Sequence, residues 1–270
     1  MTNLIKMDLY RLFRTKSFKI GLILSIIISF SFVAVLATIS NMIPMFSAET
    51  QEMMSVFPFA DWRNGINVFD LIISAISILS LMVSAVLASN FISDEQSNGY
   101  VKNIAGQIKN KGMLSVSKFV ALAVMSFSVM VVYAIGATAA GFIFLNDALS
   151  YEGFSQFLAV FGTKYLIYLS VNAIILFLCA LTKSKSASIA FGVLFGSGAT
   201  IVVYNLISTF VYIVFKCDIP FASYIPDGLV FGLTMDASSK TITDAVFVAV
   251  VYIAVFMTFS MVLMKKRDTR

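Results

Sequence analysis

Histidine is absent from the 270-residue chain, and only two residues are cysteine. The missing histidine removes the commonest general base and the commonest metal ligand. Cys179 and Cys217 lack the spacing of metal ligands, and the sequence alone does not pair them in a disulfide. We interpret both as small apolar fillers. The sequence therefore predicts neither a catalytic residue nor a metal site.

Charged residues are also scarce. They make up 12% of the chain, whereas soluble domains carry roughly 25%. Hydrophobic residues make up 59%, and the mean hydropathy is +0.93. This composition excludes an ordinary soluble domain and predicts an all-α integral membrane protein. The net charge of +5 does not indicate a nucleic-acid partner, because in a membrane protein the positions of the charges matter more than their sum.

Six apolar segments are long enough to cross a bilayer, which takes about 20 residues. The first is too long for the apolar part of a cleaved signal peptide, about 7–15 residues, so we expect it to be retained. The third and fifth are long enough to tilt, break or extend past the bilayer. Together they predict one transmembrane domain over residues 1–270. The predicted spans are 20–43, 68–91, 116–145, 157–181, 187–215 and 245–264.

The charges orient these spans. With both termini in the cytoplasm, 15 of the 19 Lys and Arg residues fall on the inner side, and 10 of the 14 Asp and Glu residues fall outside. This bias satisfies the positive-inside rule, and the reversed topology violates it. The sequence thus predicts a multi-pass protein with both termini and residues 92–114 in the cytoplasm.

Two of the inner segments are amphipathic. Residues 1–17 alternate apolar and basic faces, which predicts a helix lying in the membrane interface. Segment 92–114 has Tyr100, Ile104 and Ile108 four residues apart, which predicts a short helix with one apolar face. The alternative interpretation of this segment is a solvated connector.

Three short motifs carry a resemblance to a known family. They are "FISDEQSNGYVKN" from Phe91 to Asn103, "KMDLYRLFR" from Lys6 to Arg14, and the final "VLMKKRD". With the layout of spans, the chain resembles the permease subunits of bacterial type-two ATP-binding-cassette exporters. In that family an interfacial elbow helix precedes six spans, and a coupling segment between spans two and three docks on a separate ATPase.

The resemblance implies a set of partners in the bacterial plasma membrane. The sequence has no G-x-x-x-x-G-K-[ST] phosphate loop, so we expect no enzyme activity and no cofactor in this chain. Two copies of a partner ATPase would bind ATP and magnesium. A second permease chain, identical or related, would complete the pathway, with spans one, two and five near the seam.

The resemblance also implies roles for the coupling segment. Gly99 would permit a sharp change of direction after span two. The two acidic residues would pair with basic residues of the elbow helix or the ATPase, or else simply end a helix in water. The apolar face of the short helix would dock on the ATPase. The expected coupling residues are Asp94, Glu95, Gly99, Tyr100, Lys102 and Ile104.

Within the spans, charges appear only near the ends. Asp70 and Lys164 lie near the outer ends of their segments, and Asp244 precedes the last one. Since charges in mid-span mark ion paths, this placement disfavours an ion-coupled carrier. Pro220 and Pro226 exclude a continuous helix before the last span, and we expect a re-entrant or interfacial piece that lids the pathway.

The remaining polar and small residues of the spans suggest contacts between helices. Asn172 and Asn205 are expected to hydrogen-bond between helices or to contact cargo. Gly192 and Gly196, four residues apart, predict close packing within the subunit or at a seam with another permease.

The leading hypothesis is therefore a permease that exports a peptide or another hydrophobic or amphipathic cargo, including export of or immunity to an antimicrobial peptide. The alternatives are an ATP-independent channel or carrier and a non-transporting membrane scaffold. The first alternative predicts charged or repeated motifs inside the membrane, and the second has no use for a lever-like cytoplasmic segment.

Overall fold

A computed structural model describes residues 2–46, 64–97, 111–145, 148–182, 184–217 and 220–266, together with positions 53, 59 and 62. The described part is almost entirely α-helical. Its only strands are Ile66–Asn67 (β1) and Leu149–Ser150 (β2), which form a short parallel pair. The predicted all-α fold class is confirmed.

The chain begins with two helices, α1 (Thr2–Arg14) and α2 (Lys16–Met42). Thr15 between them is extended, with φ −66° and ψ 125°, so the chain changes direction there. The predicted interfacial helix over residues 1–17 thus ends where the first span begins. Helix α2 buries one narrow stripe of mostly small residues, because positions four apart share a helix face. The stripe consists of Phe18, Gly21, Ser25, Ser29, Val33, Ala37 and Ser40.

The second predicted span forms two helices, α3 (Val68–Ala75) and α4 (Ile78–Ser97). They meet at an angle of 42°, and Ile76 between them has ψ 67°, outside the helical range. The third predicted span lies in α5 (Gly112–Phe144), a continuous helix of 33 residues. Of the outcomes expected for a long third span, a break is not observed.

The fourth predicted span is a single helix, and the fifth is broken into two. Helix α6 (Phe154–Thr182) is continuous, whereas α7 (Lys185–Gly196) and α8 (Ala199–Phe215) meet at an angle of 65°. Gly198 at the junction has φ 72°, in the left-handed region that glycine enters without a Cβ penalty. The long fifth segment therefore breaks, as one of the expected outcomes.

A 3-10 turn (Phe221–Tyr224) and the short helix α9 (Pro226–Gly232) follow α8, and α10 (Ser239–Lys266) ends the fold. Pro226 begins α9, a position where its missing N–H costs nothing. The prolines thus interrupt the chain where the sequence predicted. Cys179 is buried, as a filler would be, but Cys217 is exposed beyond α8, so the filler interpretation is wrong for Cys217.

Within the described residues, four helices are long and apolar enough to cross a membrane, namely α2, α5, α6 and α10, and the number rises to six if each bent pair counts as one span. Helix α6 lies at the centre and buries about half of its residues, whereas α8 buries only Thr200. The side chains of Leu206, Phe210 and Phe215 on α8 are more than 60% exposed. Such apolar surface suits contact with lipid or with another membrane chain.

Candidate functional site

The start of α1 and the end of α10 meet at one end of the bundle. Leu4 at the start of α1, Leu114 at the start of α5 and Met264 at the end of α10 pack together. Ser260 of α10 donates a hydrogen bond to Ser115 of α5, with 3.2 Å between the hydroxyl oxygens. Segment 98–110 follows α4 and precedes α5, so this end of the bundle is also where that segment attaches.

Helix α1 is anchored to both helices that flank this segment. The Ser117 hydroxyl of α5 donates to the buried carboxylate of Asp8 at 2.5 Å. The Arg11 guanidinium donates to the Phe91 carbonyl of α4 at 3.0 Å and lies 4.3 Å from the centre of the Phe91 ring. Charge-assisted hydrogen bonds are about twice as strong as neutral ones, so α1 holds the last turns of α4 and the first turns of α5 together.

Asp94, the first of the predicted coupling residues, pairs with the start of α7. The Lys185 ammonium lies 2.6 Å from the Asp94 carboxylate, and the two side chains are 50% and 39% exposed. Pairs exposed to this degree contribute about 0.2–1 kcal/mol. The structure thus joins the end of α4 to the other short connection at this end of the bundle. The pairing expected with the elbow helix or the ATPase stays a prediction.

The other predicted coupling residues are less well described. Glu95 lies in the last turn of α4, where only the backbone is described. Gly99, Tyr100, Lys102 and Ile104 lie outside the described residues. The coupling helix therefore stays a prediction, while the structure defines its two attachment points, Ser97 and Lys111.

Of the two predicted asparagine contacts, Asn172 lies inside the bundle. Its amide donates to the Ser126 hydroxyl at 2.6 Å, and that hydroxyl lies 2.9 Å from the hydroxyl of Ser84. These bonds link α6, α5 and α4, so the structure places Asn172 in a helix–helix contact. Asn205 lies on the exposed surface of α8.

Gly192 and Gly196 face α4 of the same chain. A Cβ added at Gly196 would lie 2.5 Å from the Met82 Cα. One added at Gly192 would lie 2.8 Å from the Ala85 carbonyl oxygen and closer still to the Ser89 hydroxyl. The two glycines therefore let α7 approach the backbone of α4.

Lys164 is a functional candidate that the sequence analysis placed near a span end. Its side chain is only 1% exposed, and its ammonium donates to the carbonyls of Ile73 at 2.8 Å and Ile76 at 2.9 Å. The structure thus places it inside the bundle, at the break between α3 and α4. One pattern in the sequence could have indicated this position. Lys164, Tyr168 and Asn172 are four residues apart, so Lys164 and Tyr168 share one face of α6 with the buried Asn172.

A cavity of about 480 Å³ adjoins this break. Ser74 and Ser77 of the break, Lys164, and the carboxylates of Asp70 and Asp236 line it. A second, larger space of about 640 Å³ is an apolar groove between α2 and α4. Ile20 and Leu24 form one wall of the groove, and Met82 and Val86 form the other.

A buried carboxylate also lies next to the break between α7 and α8. Asp227 of α9 accepts hydrogen bonds from the hydroxyls of Thr200 and, at 3.5 Å, Tyr204 on α8. Burial raises the pKa of the Asp227 carboxyl, and the bond from Thr200 opposes that shift. These contacts tie α9 to the first turns of α8.

The family model described as ABC-2 family transporter protein matches residues 4–199. No curated protein matches the chain. The matched region covers 196 of the 270 residues. It runs from α1 to the first residue of α8, so it includes the anchored end of the bundle and the break beside Lys164.

Proposed function

The chain belongs to the ABC-2 family of transporter proteins, and we propose that it is the permease of an ATP-driven exporter that moves cargo out of the cytoplasm. A separate ATPase, in two copies, drives the movement and binds ATP and magnesium. The present chain supplies the membrane path and the mechanical connection to that ATPase.

The anchored end of the bundle is the observation that carries this proposal. The Arg11–Phe91 and Asp8–Ser117 contacts fix α1 to the two helices that flank segment 98–110. Asp94 and Lys185 connect the same end of α4 to α7. A displacement applied to the segment therefore reaches four helices together rather than being absorbed by one flexible end.

The sequence of segment 98–110 fits a docking element. Tyr100 and Ile104 would share one helix face and have no span to join, while Lys102 and Lys109 keep the segment at the cytoplasmic side. An apolar face of this kind needs a partner surface, and the groove of an ATPase supplies one.

The cargo we propose is a peptide or another hydrophobic or amphipathic molecule, and antimicrobial-peptide export or immunity is the specific case. The apolar groove between α2 and α4 and the exposed apolar face of α8 support this class. The same surfaces are suited to a second permease chain, which we propose to be identical or closely related.

We place the protein in the bacterial plasma membrane with both termini in the cytoplasm. The start of α1 and the end of α10 pack together at one end of the bundle, and 15 of the 19 basic residues fall on the predicted cytoplasmic side. The excess of Lys and Arg on cytoplasmic segments is the general rule for membrane proteins.

Co-purification tests the proposal. The chain is expressed alone and together with a candidate ABC ATPase from the same organism. We expect no hydrolysis by the chain alone, and a complex with two ATPase copies by native mass spectrometry. A chain that reaches the membrane but neither binds that ATPase nor changes its hydrolysis rate contradicts the proposal.

A pair of variants locates the docking face. Ile104→Asp places a charge in the proposed apolar contact, which is costly without a partner, and should abolish ATPase association at a normal membrane level. The double substitution Gln107→Ala and Lys109→Ala is the control and should change little. Intact binding and hydrolysis in Ile104→Asp would restore the interpretation of a solvated connector.

A further inference from the structure

The geometry assigns Lys164 and Tyr168 of α6 a positioning role: they hold the break between α3 and α4 in its bent form. We call this break, Ile76 and Ser77, the joint. Helix α4 runs from the joint to segment 98–110, so the joint sets the direction of the arm that meets the ATPase. The meaning of this role for transport rests on the proposed function, but the contacts themselves do not.

The joint exposes backbone acceptors that an unbroken helix would satisfy. In such a helix the carbonyls of Ile73 and Ile76 accept from the amides of Ser77 and Ser80. Ile76 leaves the helical range at ψ 67°, and this disrupts that ladder. A buried carbonyl left without a donor is costly.

Lys164 supplies the missing donors. Its ammonium lies 2.8 Å from the Ile73 carbonyl and 2.9 Å from the Ile76 carbonyl. The side chain is buried among α3, α4 and α6, and its bonds to these carbonyls stabilise the charge where burial would otherwise be unfavourable. The ammonium and the break therefore stabilise each other. The break leaves carbonyls in apolar surroundings to which the ammonium donates, and these carbonyls in turn solvate the ammonium.

Tyr168, one turn further along α6, contacts the following residues of the joint. Its hydroxyl donates to the Ser77 carbonyl at 3.2 Å and contacts the Ser80 hydroxyl. Ser80 itself donates to the Ser77 carbonyl at 3.1 Å. The two α6 side chains therefore bind the joint from its α3 side to the first turn of α4.

Removing the ammonium should favour a straighter joint. A Met at position 164 keeps a similar length but donates no hydrogen bond. The Ile73 carbonyl then keeps only the Ser77 hydroxyl, at 3.4 Å, and a continuous helix would supply both this carbonyl and that of Ile76 with backbone amide donors. Helix α4 has 20 residues and is about 30 Å long, so a change of about 10° at the joint displaces its far end by roughly 5 Å.

Distances between spin labels test this inference without the ATPase. Cys179 and Cys217 are changed to Ser, and labels are attached through Asn90→Cys near the end of α4 and Lys265→Cys at the end of α10. The otherwise unchanged protein should give one narrow distance. Asn90 lies about 20 Å along the helix from the joint, where a 10° change gives roughly 3 Å. Lys164→Met should therefore shift or broaden that distance by about 3 Å or more, and Lys240→Met, which removes an exposed lysine at the start of α10, should leave it unchanged.

If Lys164→Met does not reach the membrane, Tyr168→Phe gives the decisive measurement, because it removes a single hydroxyl and should still broaden the distance. An unchanged distance in Lys164→Met, or in Tyr168→Phe where the first variant is not recovered, overturns the inference.

A second readout tests the link to transport. In the ATPase complex, Lys164→Met should keep ATPase association and lose most of the cargo-stimulated hydrolysis, whereas Lys240→Met should keep both. Full stimulation in a variant whose distance has changed refutes the coupling role. If the unsubstituted protein binds no ATPase, the proposed function fails, while the spin-label result still decides the positioning role.

Discussion

Replacing Gly196 by Ala tests the close contact between α7 and α4. Gly196 of α7 faces α4, and a Cβ at this position would lie 2.5 Å from the Met82 Cα and 3.2 Å from the Ala85 Cβ. The first neighbour is backbone, which does not rotate away. The added methyl group must therefore push α7 and α4 apart.

Two opposing effects set the size of the change. Forcing an extra methyl group into a packed contact costs about 1–3 kcal/mol. Replacing a glycine by alanine inside a helix gains about 0.5–1 kcal/mol, and this is an upper limit for Gly196, the last residue of α7. The free energy of unfolding should therefore fall by up to about 3 kcal/mol in Gly196→Ala. Gly192→Ala should lose more, because its Cβ would meet both a carbonyl oxygen and the Ser89 hydroxyl.

Thermal unfolding of the detergent-solubilised protein measures this difference, with Gly162→Ala as the matched control. Gly162 also lies inside a helix, α6, but a Cβ there meets no atom within 4 Å. Gly162→Ala should therefore be more stable than the unsubstituted protein, because it removes the entropic cost of a glycine in a helix without adding a clash. A loss of 1 kcal/mol corresponds to a fall of about 2–4 °C in Tm for a soluble domain of about this size. If Gly196→Ala raises Tm as much as Gly162→Ala does, α4 and α7 are not packed as described.

Three further predictions concern charged groups and orientation. A double-mutant cycle with Asp94→Ala and Lys185→Ala should give a coupling energy below about 1 kcal/mol, since both side chains are well exposed; a value of several kcal/mol would show that the pair is shielded from water. Burial raises the pKa of the Asp227 carboxyl, because the folded protein favours its neutral form. The resulting contribution to the free energy of unfolding is complete below the ordinary pKa of an Asp and is lost as the pH rises through the raised pKa. Asp227→Asn stays neutral, so its Tm relative to the unsubstituted protein should increase from about pH 4 to about pH 8, and a constant difference would contradict this assignment. A cysteine at Ser97, in protein lacking Cys179 and Cys217, should resist an impermeant thiol reagent added outside intact cells, and labelling there would refute the six-span topology.

The positions of the helices could be predicted from the sequence because the bilayer imposes a simple rule. Backbone groups in lipid must be bonded within helices, so long apolar runs and charges between them locate the elements. The same logic predicted a break or extension in the long segments, and Gly198 supplies the local reason for the break in the fifth.

The break in the second span had no such local signal. The sequence around Ile76 and Ser77 contains neither proline nor glycine, which are the usual causes of a helix break. The stabilising donor comes from Lys164, 88 residues further along the chain than Ile76. A tertiary contact of this kind is not visible in local propensity, which explains why Lys164 was assigned to a span end.

The two breaks, considered together, divide the bundle into two parts. Helices α4 and α7 are the arms on the side of the termini, and they contact each other through Gly192 and Gly196 and through the Asp94–Lys185 pair. Each arm ends at a break. Lys164 and Tyr168 stabilise the first break, and Asp227 contacts the helix that follows the second. Because close glycine packing resists sliding, α4 and α7 should move as one unit that pivots at both breaks. A force delivered at segment 98–110 would then rotate two arms of the bundle instead of bending one helix.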